Sequence, residues 1–302
     1  MKEWIEAMRL RTLPVSIAGV VAGTACAIYH HGFSLIPFLI CMFFAILAQI
    51  SSNFANEYYD FKNGIDRKGR EGFRRGVTEG DISPESMKRA TYITLGIAAG
   101  IGSTLVIWGG WWLVFVGMAI AVFALAYSTG PFPLSHNGLG EIAVIIFFGF
   151  VPVIFTEYVQ TRILNFDYIT MATAIAVGLM ASNVLIVNNY RDMEDDRNVG
   201  KKTSVVILGR KIMGNIYYAN GGIAAILLAI ASSALPFWVS AGWLTYFAFH
   251  TMLWGNLKSK TGSSLNEVLK WTSLILLLVC CYLLIIMASL KPEPIDSIII
   301  FP

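Results

Sequence analysis

Two short stretches carry the residue types and spacings able to do chemistry. Gln49, Asn53, Asn56 and Asp60 follow one another at intervals of four, three and four, and Asn188, Asp192 and Asp196 lie four apart. Residues three or four apart share one helix face, so each stretch reads as a stripe of amide and carboxylate oxygens. Gly64 allows the chain to leave the helix and fold Asp66 back toward Asn56 and Asp60. Carboxylate-rich oxygen ligation suits a hard divalent cation, and sparse protein ligation that leaves places for phosphate oxygens suits Mg²⁺. Basic residues follow each stripe: Arg67, Lys68, Arg70, Arg74 and Arg75 after the first, and Arg197, Lys201 and Lys202 after the second. Carboxylates interleaved with guanidinium and ammonium groups fit a metal-bridged polyanion, most simply a diphosphate. Taken singly, each basic residue reads better as a solvated loop charge. That reading does not account for the same amide–carboxylate spacing at both stripes.

The elements that must hold the stripes are apolar. The chain has 302 residues, 56% hydrophobic and only 14% charged, whereas a soluble chain is about one quarter charged. The composition excludes a soluble globular enzyme, a disordered chain and a secreted disulfide scaffold. The apolar residues fall into runs near 12–31, 34–56, 90–108, 111–128, 139–158, 168–190, 215–234, 237–254 and 270–290. About 20 apolar residues cross a bilayer, so the expectation is an all-α, polytopic protein of the inner (cytoplasmic) membrane with about nine spanning helices. With the N-terminus in the cytoplasm, 20 of the 22 basic residues fall on the cytoplasmic side, and only Arg162 and Lys291 on the other. Both stripes then sit at the cytoplasmic face. An ionised group at the bilayer centre costs roughly 3 kcal/mol, so the carboxylates belong at helix ends or in a wet cavity. Met1–His31 reads as a retained first helix preceded by an amphipathic interfacial segment. The four cysteines lie inside apolar runs without disulfide or metal-ligand spacing.

Each stripe closes the second span of a set of four. A single domain, 1–302, is therefore expected, built of halves at about 1–128 and 139–254 plus a ninth helix at about 270–290. The loop Ser128–Glu141 has no Lys or Arg and is rich in Gly and Pro, so it could line or cover the site. Glu141 is either a helix-start carboxylate favoured by the dipole or a substrate-facing group. The four histidines share no spacing that builds a metal or base site. Ion-coupled carriers also use paired halves and polar residues, but they usually place their site near the midplane, so a transporter is the weaker reading. Nothing in the chain points to nucleic acid or to an obligate protein partner.

The stretches Asn56-Glu-Tyr-Tyr-Asp60-Phe-Lys-Asn-Gly64-Ile-Asp66, Gly72-Phe-Arg-Arg75, Gly130-Pro-Phe-Pro133, Gly138-Leu-Gly-Glu141 and Asn188-Asn-Tyr-Arg-Asp192-Met-Glu-Asp-Asp196, with Gly200-Lys201, resemble motifs of the UbiA-type intramembrane prenyltransferases. Arg9-Leu-Arg11-Thr-Leu-Pro14 fits as well. Within the family, the Asp displaced beyond Gly64 is similar to the subgroup acting on 1,4-dihydroxy-2-naphthoate in menaquinone synthesis. Two positions depart from the usual pattern: Glu57 stands where Asp is common, and Phe73 where Pro is common.

The resemblance implies that Asn56, Asp60, Asp66, Asp192 and Asp196 hold Mg²⁺ against a polyprenyl diphosphate, with Asp60 and Asp192 foremost in catalysis. Arg70, Arg75 and Lys201 would bind the diphosphate, and Asn53, Asn188 and Glu141 are further candidates to face substrate. It also implies transfer of the polyprenyl group to the naphthoate ring, with loss of diphosphate and CO₂, giving demethylmenaquinone. Hydroxybenzoate and homogentisate are the alternative acceptors. A tail of many CH₂ groups, each worth about 0.8 kcal/mol on burial, keeps substrate and product in the lipid.

Overall fold

A computed structural model describes residues 1–68 and 72–290, and among these the chain is all-helical, with one isolated bridge between Asn137 and Lys202. A short helix, α1 (Lys2–Met8), precedes α2 (Leu13–Tyr29) and α3 (Leu35–Lys62). Then come α4 (Pro84–Ser103), α5 (Leu113–Ala126) and α6 (Gly140–Thr161). The second part of the chain holds α7 (Tyr168–Asn198), α8 (Ser204–Ala231), α9 (Ser240–Ser259) and α10 (Leu265–Leu290).

Local chemistry sets several starts. Ser83 caps α4, its hydroxyl accepting from the Ser86 N–H at 3.2 Å, with Pro84 at the first helical position. Asp167 caps α7, Oδ1 accepting from Ile169 and Thr170 at 2.7 and 3.0 Å. Thr203 caps α8.

Seven helical segments are long and apolar enough to cross a membrane, and these include α2, α3, α4, α6, α7, α8 and α10. Leu113–Ala126 is apolar but shorter, and α9 is not among the seven. α3 and α7 run beyond the apolar stretches expected from the sequence, to Lys62 and Asn198. The stripes therefore lie inside helices rather than in the loops after them. Their polar side chains face protein instead of lipid, so hydrophobicity stops before the helix does.

α2 and α7 are the buried helices, while α3 and α4 turn most of their surface outward. Their lipid side exposes residues such as Phe43 and Ile93. α2 lies against α6 and α10, and α7 against α8 and the middle of α6. The packing of α2 on α6 depends on small residues: a Cβ at Gly19 or Gly23 would collide with the carbonyl oxygen of Phe148 or Val153. Small residues four apart let helix backbones approach where no hydrophobic drive separates lipid from protein. In the middle of α6, Ile145–Phe150 widens to a π-helix, a distortion frequent beside functional sites.

Candidate active site

The two stripes converge at one end of the bundle. On α3, Asn53 turns aside to hold the N-terminal segment: its Nδ2 donates to the Met8 carbonyl at 2.9 Å, and Gln49 Nε2 donates to its Oδ1 at 3.2 Å. One turn on, Asn56 Oδ1 accepts from Arg9 at 3.2 Å and from Arg75 at 3.0 Å. Asp60 is 1% exposed. Beyond Lys62 the chain reverses, with Gly64 at φ 68° and the Ile65 N–H donating to the Asp60 carbonyl at 2.9 Å. This is the fold-back expected from the sequence. It places Asp66 Oδ2 3.3 Å from Arg75 Nε.

Arg75 is the hub of this half, in reach of Asn56, Asp60 and Asp66. Among the described residues neither Asp60 oxygen, both buried, has a hydrogen bond; Arg75 Nη2 lies 3.7 Å and His136 Nε2 3.5 Å away.

On α7, Arg191 grips Asp192 with both arms, Nε to Oδ1 at 2.6 Å and Nη2 to Oδ2 at 2.8 Å. The same guanidinium donates to Asn188 Oδ1 at 2.9 Å and to Asn266 Oδ1 at 2.7 Å. Asp196 is buried, its backbone carbonyl accepting from the Lys201 N–H at 2.9 Å while Lys201 Nζ lies 3.8 Å from Oδ1. Glu141 accepts from Asn189 at 3.1 Å and from the Ser204 hydroxyl, which ties the start of α6 to α7 and α8. Arg70 lies outside the described residues. The neutral loop does cover the site: Lys202 N–H donates to the His136 carbonyl at 3.1 Å, and the ring of His136 faces Asp60.

A cavity of about 500 Å³ extends from this cluster into the bundle. Asn56, Arg75, Asn188, Asp192 and Lys201 line its polar end, with Arg9 and Asn53 beside them. The rest is apolar and follows α6 from Val144 to Val159, a rise of about 20 Å. Near the polar end Phe123 and Phe147 stack with ring centres 3.6 Å apart. Asp196 and Lys201 line a smaller cavity with Ile65 and Arg67, so Lys201 stands between the two.

The donor set fits a hard divalent cation. Asp60 in particular has two buried oxygens without a hydrogen bond among the described residues, and a buried charge is costly unless cations answer it fully. Arg9, Arg191, His136 and Tyr127 were not singled out from the sequence. Arg191 sits inside a motif whose acidic members drew the attention, and Arg9 opens a motif that carries no acid. His136 has no local spacing to betray it, since Asp60 and Lys202 lie far away in the chain.

The residues 16–274 match the model of the UbiA prenyltransferase family. The chain is 37% identical over 256 residues to a 1,4-dihydroxy-2-naphthoate octaprenyltransferase of Escherichia coli (strain K12), covering 81% of this chain and 80% of that one. It is 30% identical over 231 residues to the protein of the same description in Bacillus subtilis (strain 168), covering 76% and 74%. The fold is shared with a UbiA homolog from Archaeoglobus fulgidus bound to GPP and Mg²⁺, with a TM-score of 0.67 at 15% identity over 95% of this chain and 100% of that one. Motifs, fold and relatives agree: this chain belongs to the UbiA prenyltransferase family.

Proposed function

We propose that this protein transfers a polyprenyl group from a polyprenyl diphosphate to 1,4-dihydroxy-2-naphthoate. The observation that carries the reading is a long apolar cavity whose polar end is lined by Asn56, Arg75, Asp192 and Lys201, with Asp60 buried behind Arg75 and, among the described residues, without a hydrogen bond. The cavity suits a molecule with an anionic head and a hydrocarbon tail. Relatives described as naphthoate octaprenyltransferases support this choice of acceptor.

In this reading Asn56, Asp60, Asp66, Asp192 and Asp196 hold Mg²⁺, which supplies charge neutralisation for the diphosphate. Arg75 and Lys201, with Arg70, bind diphosphate oxygens as the C–O bond to the prenyl carbon breaks and charge builds on the leaving group. The allylic carbocation forms where the stacked faces of Phe123 and Phe147 begin, and an aromatic face attracts a cation. The ring carbon bearing the carboxylate attacks it, forming the C–C bond. Loss of CO₂ returns the electron pair to the ring and leaves a naphthoquinol, the reduced form of demethylmenaquinone. Excluding water around the cation prevents its capture as an alcohol, and the apolar walls serve that end.

The same reading places the site at the cytoplasmic face of the inner membrane. It gives nine spans, α2 through α10, in two four-helix halves plus one, with the N-terminus in the cytoplasm as the positive-inside rule requires. The test is product mass. Purified protein in lipid, given Mg²⁺, a polyprenyl diphosphate and a panel of aromatic acids, is expected to release diphosphate and make a prenylated naphthoquinol short of one CO₂. Turnover with hydroxybenzoate alone would contradict the acceptor, and no diphosphate release with any acceptor would contradict the enzyme reading.

A further inference from the structure

Arg191 is a buried cation with an unusually complete set of partners. Its side chain is 1% exposed, and four hydrogen bonds take it to Asp192 twice, to Asn188 and to Asn266. Its guanidinium carbon lies 4.9 Å from the centre of the Phe73 ring, with the Arg11 guanidinium carbon 5.5 Å from the same ring. Two of these partners come from outside the stripes. Asn266 is in the first turn of α10, 75 residues away, and Phe73 is in the basic loop after α3. The N-terminal segment is tied to α10 as well, through Ser273 Oγ donating to the Arg11 carbonyl at 2.9 Å.

A planar guanidinium with a fixed fork presents its donors in one plane. The Phe73 face and the Asn266 carbonyl together fix that plane and its rotation. We infer that Asn266 and Phe73 are positioning residues for metal binding: through Arg191 they hold the Asp192 carboxylate in one orientation. A carboxylate has about four acceptor sites, of which Arg191 takes two. This inference rests on the reading of Asp192 as a metal-binding group. It gives α10, which carries no motif, a direct part in the site. Residues that orient metal ligands from behind typically change metal affinity 10–100-fold when removed.

The experiment measures Mn²⁺ binding by electron paramagnetic resonance on the purified full chain in lipid nanodiscs, without substrate. Mg²⁺ half-saturation of diphosphate release and KM for the naphthoate are measured in parallel. Asn266→Ala is expected to weaken Mn²⁺ binding about tenfold and to raise the Mg²⁺ requirement similarly, with KM for the acceptor unchanged. Asn266→Asp keeps an acceptor oxygen in the same place and is expected to return within about threefold of the parent. Phe73→Leu carries the same test through the other contact if Asn266→Ala does not fold. Unchanged or tighter Mn²⁺ binding in folded Asn266→Ala would overturn the inference, as would failure of Asn266→Asp to recover. If Asp192→Ala itself leaves Mn²⁺ binding at the parental level, it is the metal reading of the site that fails. If Asp192→Ala loses binding and Asn266→Ala does not, only the positioning role fails.

Discussion

Carboxylates are buried at both ends of the bundle, and their surroundings differ in one respect. At the Asp60 end, a carboxylate that is 1% exposed has, among the described residues, no hydrogen bond to either oxygen, with His136 and Arg75 standing 3.5 and 3.7 Å away. At the far end, Glu157 is equally buried, but Oε1 accepts from His30 Nδ1 and Asn165 Nδ2, both at 2.7 Å, and Oε2 from the Thr170 hydroxyl at 2.8 Å. Asp167 caps α7 with one oxygen and faces His30 Nε2 with the other at 3.2 Å. With a carboxylate at each ring nitrogen, both nitrogens must donate, so His30 is an imidazolium with no lone pair for a metal. Burial alone would push its pKa down; the hydrogen bonds and charges of Asp167 and Glu157 win and raise it to about 9. Burial likewise opposes ionisation of Asp167, but the His30 hydrogen bond and the helix-cap N–H groups bring its pKa down to about 2.

One cluster is closed on itself and joins the ends of α2, α6 and α7. The other is left open around a cavity. A residue's type and burial do not separate a structural carboxylate from a reactive one. The tally of satisfied lone pairs separates Asp60 from Glu157, while Asp192, bonded to Arg191 through both oxygens, is set apart by its place on the cavity wall.

This contrast can be broken at either end. The largest effect is expected at Asp192→Asn, which keeps shape and removes charge. Turnover per folded molecule should fall about 10³-fold, on the scale of losing one main electrostatic stabiliser, with Tm lowered as well because the buried Arg191 loses its charged partner. Next is Glu157→Ala, which leaves the His30 cation with one partner fewer. Removing one member of a buried ion pair costs about 3 kcal/mol or more, so Tm should drop clearly while turnover per folded molecule is retained.

The pH dependence follows the same clamp. A raised pKa at His30 means its contribution is complete below its ordinary value of 6.5 and is lost as pH rises through about 9. For Asp167 the contribution is present above 3.8 and is lost as pH falls through about 2. Stability of the parent should therefore decline as pH rises from 6.5 through about 9, by on the order of 2 kcal/mol for this half-buried ring, and His30→Gln should remove that part of the slope. The smallest effect belongs to Gly64→Ala. A Cβ at φ 68° costs about 1 kcal/mol, and the shifted turn should lower turnover several-fold by moving Asp66.

How much of this could be read in the sequence depends on the range of each contact. The stripes on α3 and α7 were legible because Asn56–Asp60 and Asn188–Asp192–Asp196 obey helical spacing, and the return of Asp66 because only glycine eases that turn. The orientation was expected from cations alone. The helix end at Asn198 was not legible, since a protein-facing polar stripe mimics the end of an apolar run, whereas Gly64 marked the end of α3. Nor was His30, whose carboxylate partner Glu157 lies 127 residues on. Arg191 was hidden in another way: beside Asp192 it looked like one more loop charge, and only the distant Asn266 and Phe73 reveal it as a brace.

The most direct measurement is turnover per folded molecule for Asp60→Asn and Glu157→Gln, assayed side by side in lipid with Mg²⁺, a polyprenyl diphosphate and dihydroxynaphthoate. The account predicts that Asp60→Asn loses diphosphate release and prenylated product while keeping the parental Tm, and that Glu157→Gln keeps both activities while losing thermal stability. Parental turnover in Asp60→Asn, or a Glu157→Gln protein that is stable but inactive, would contradict it.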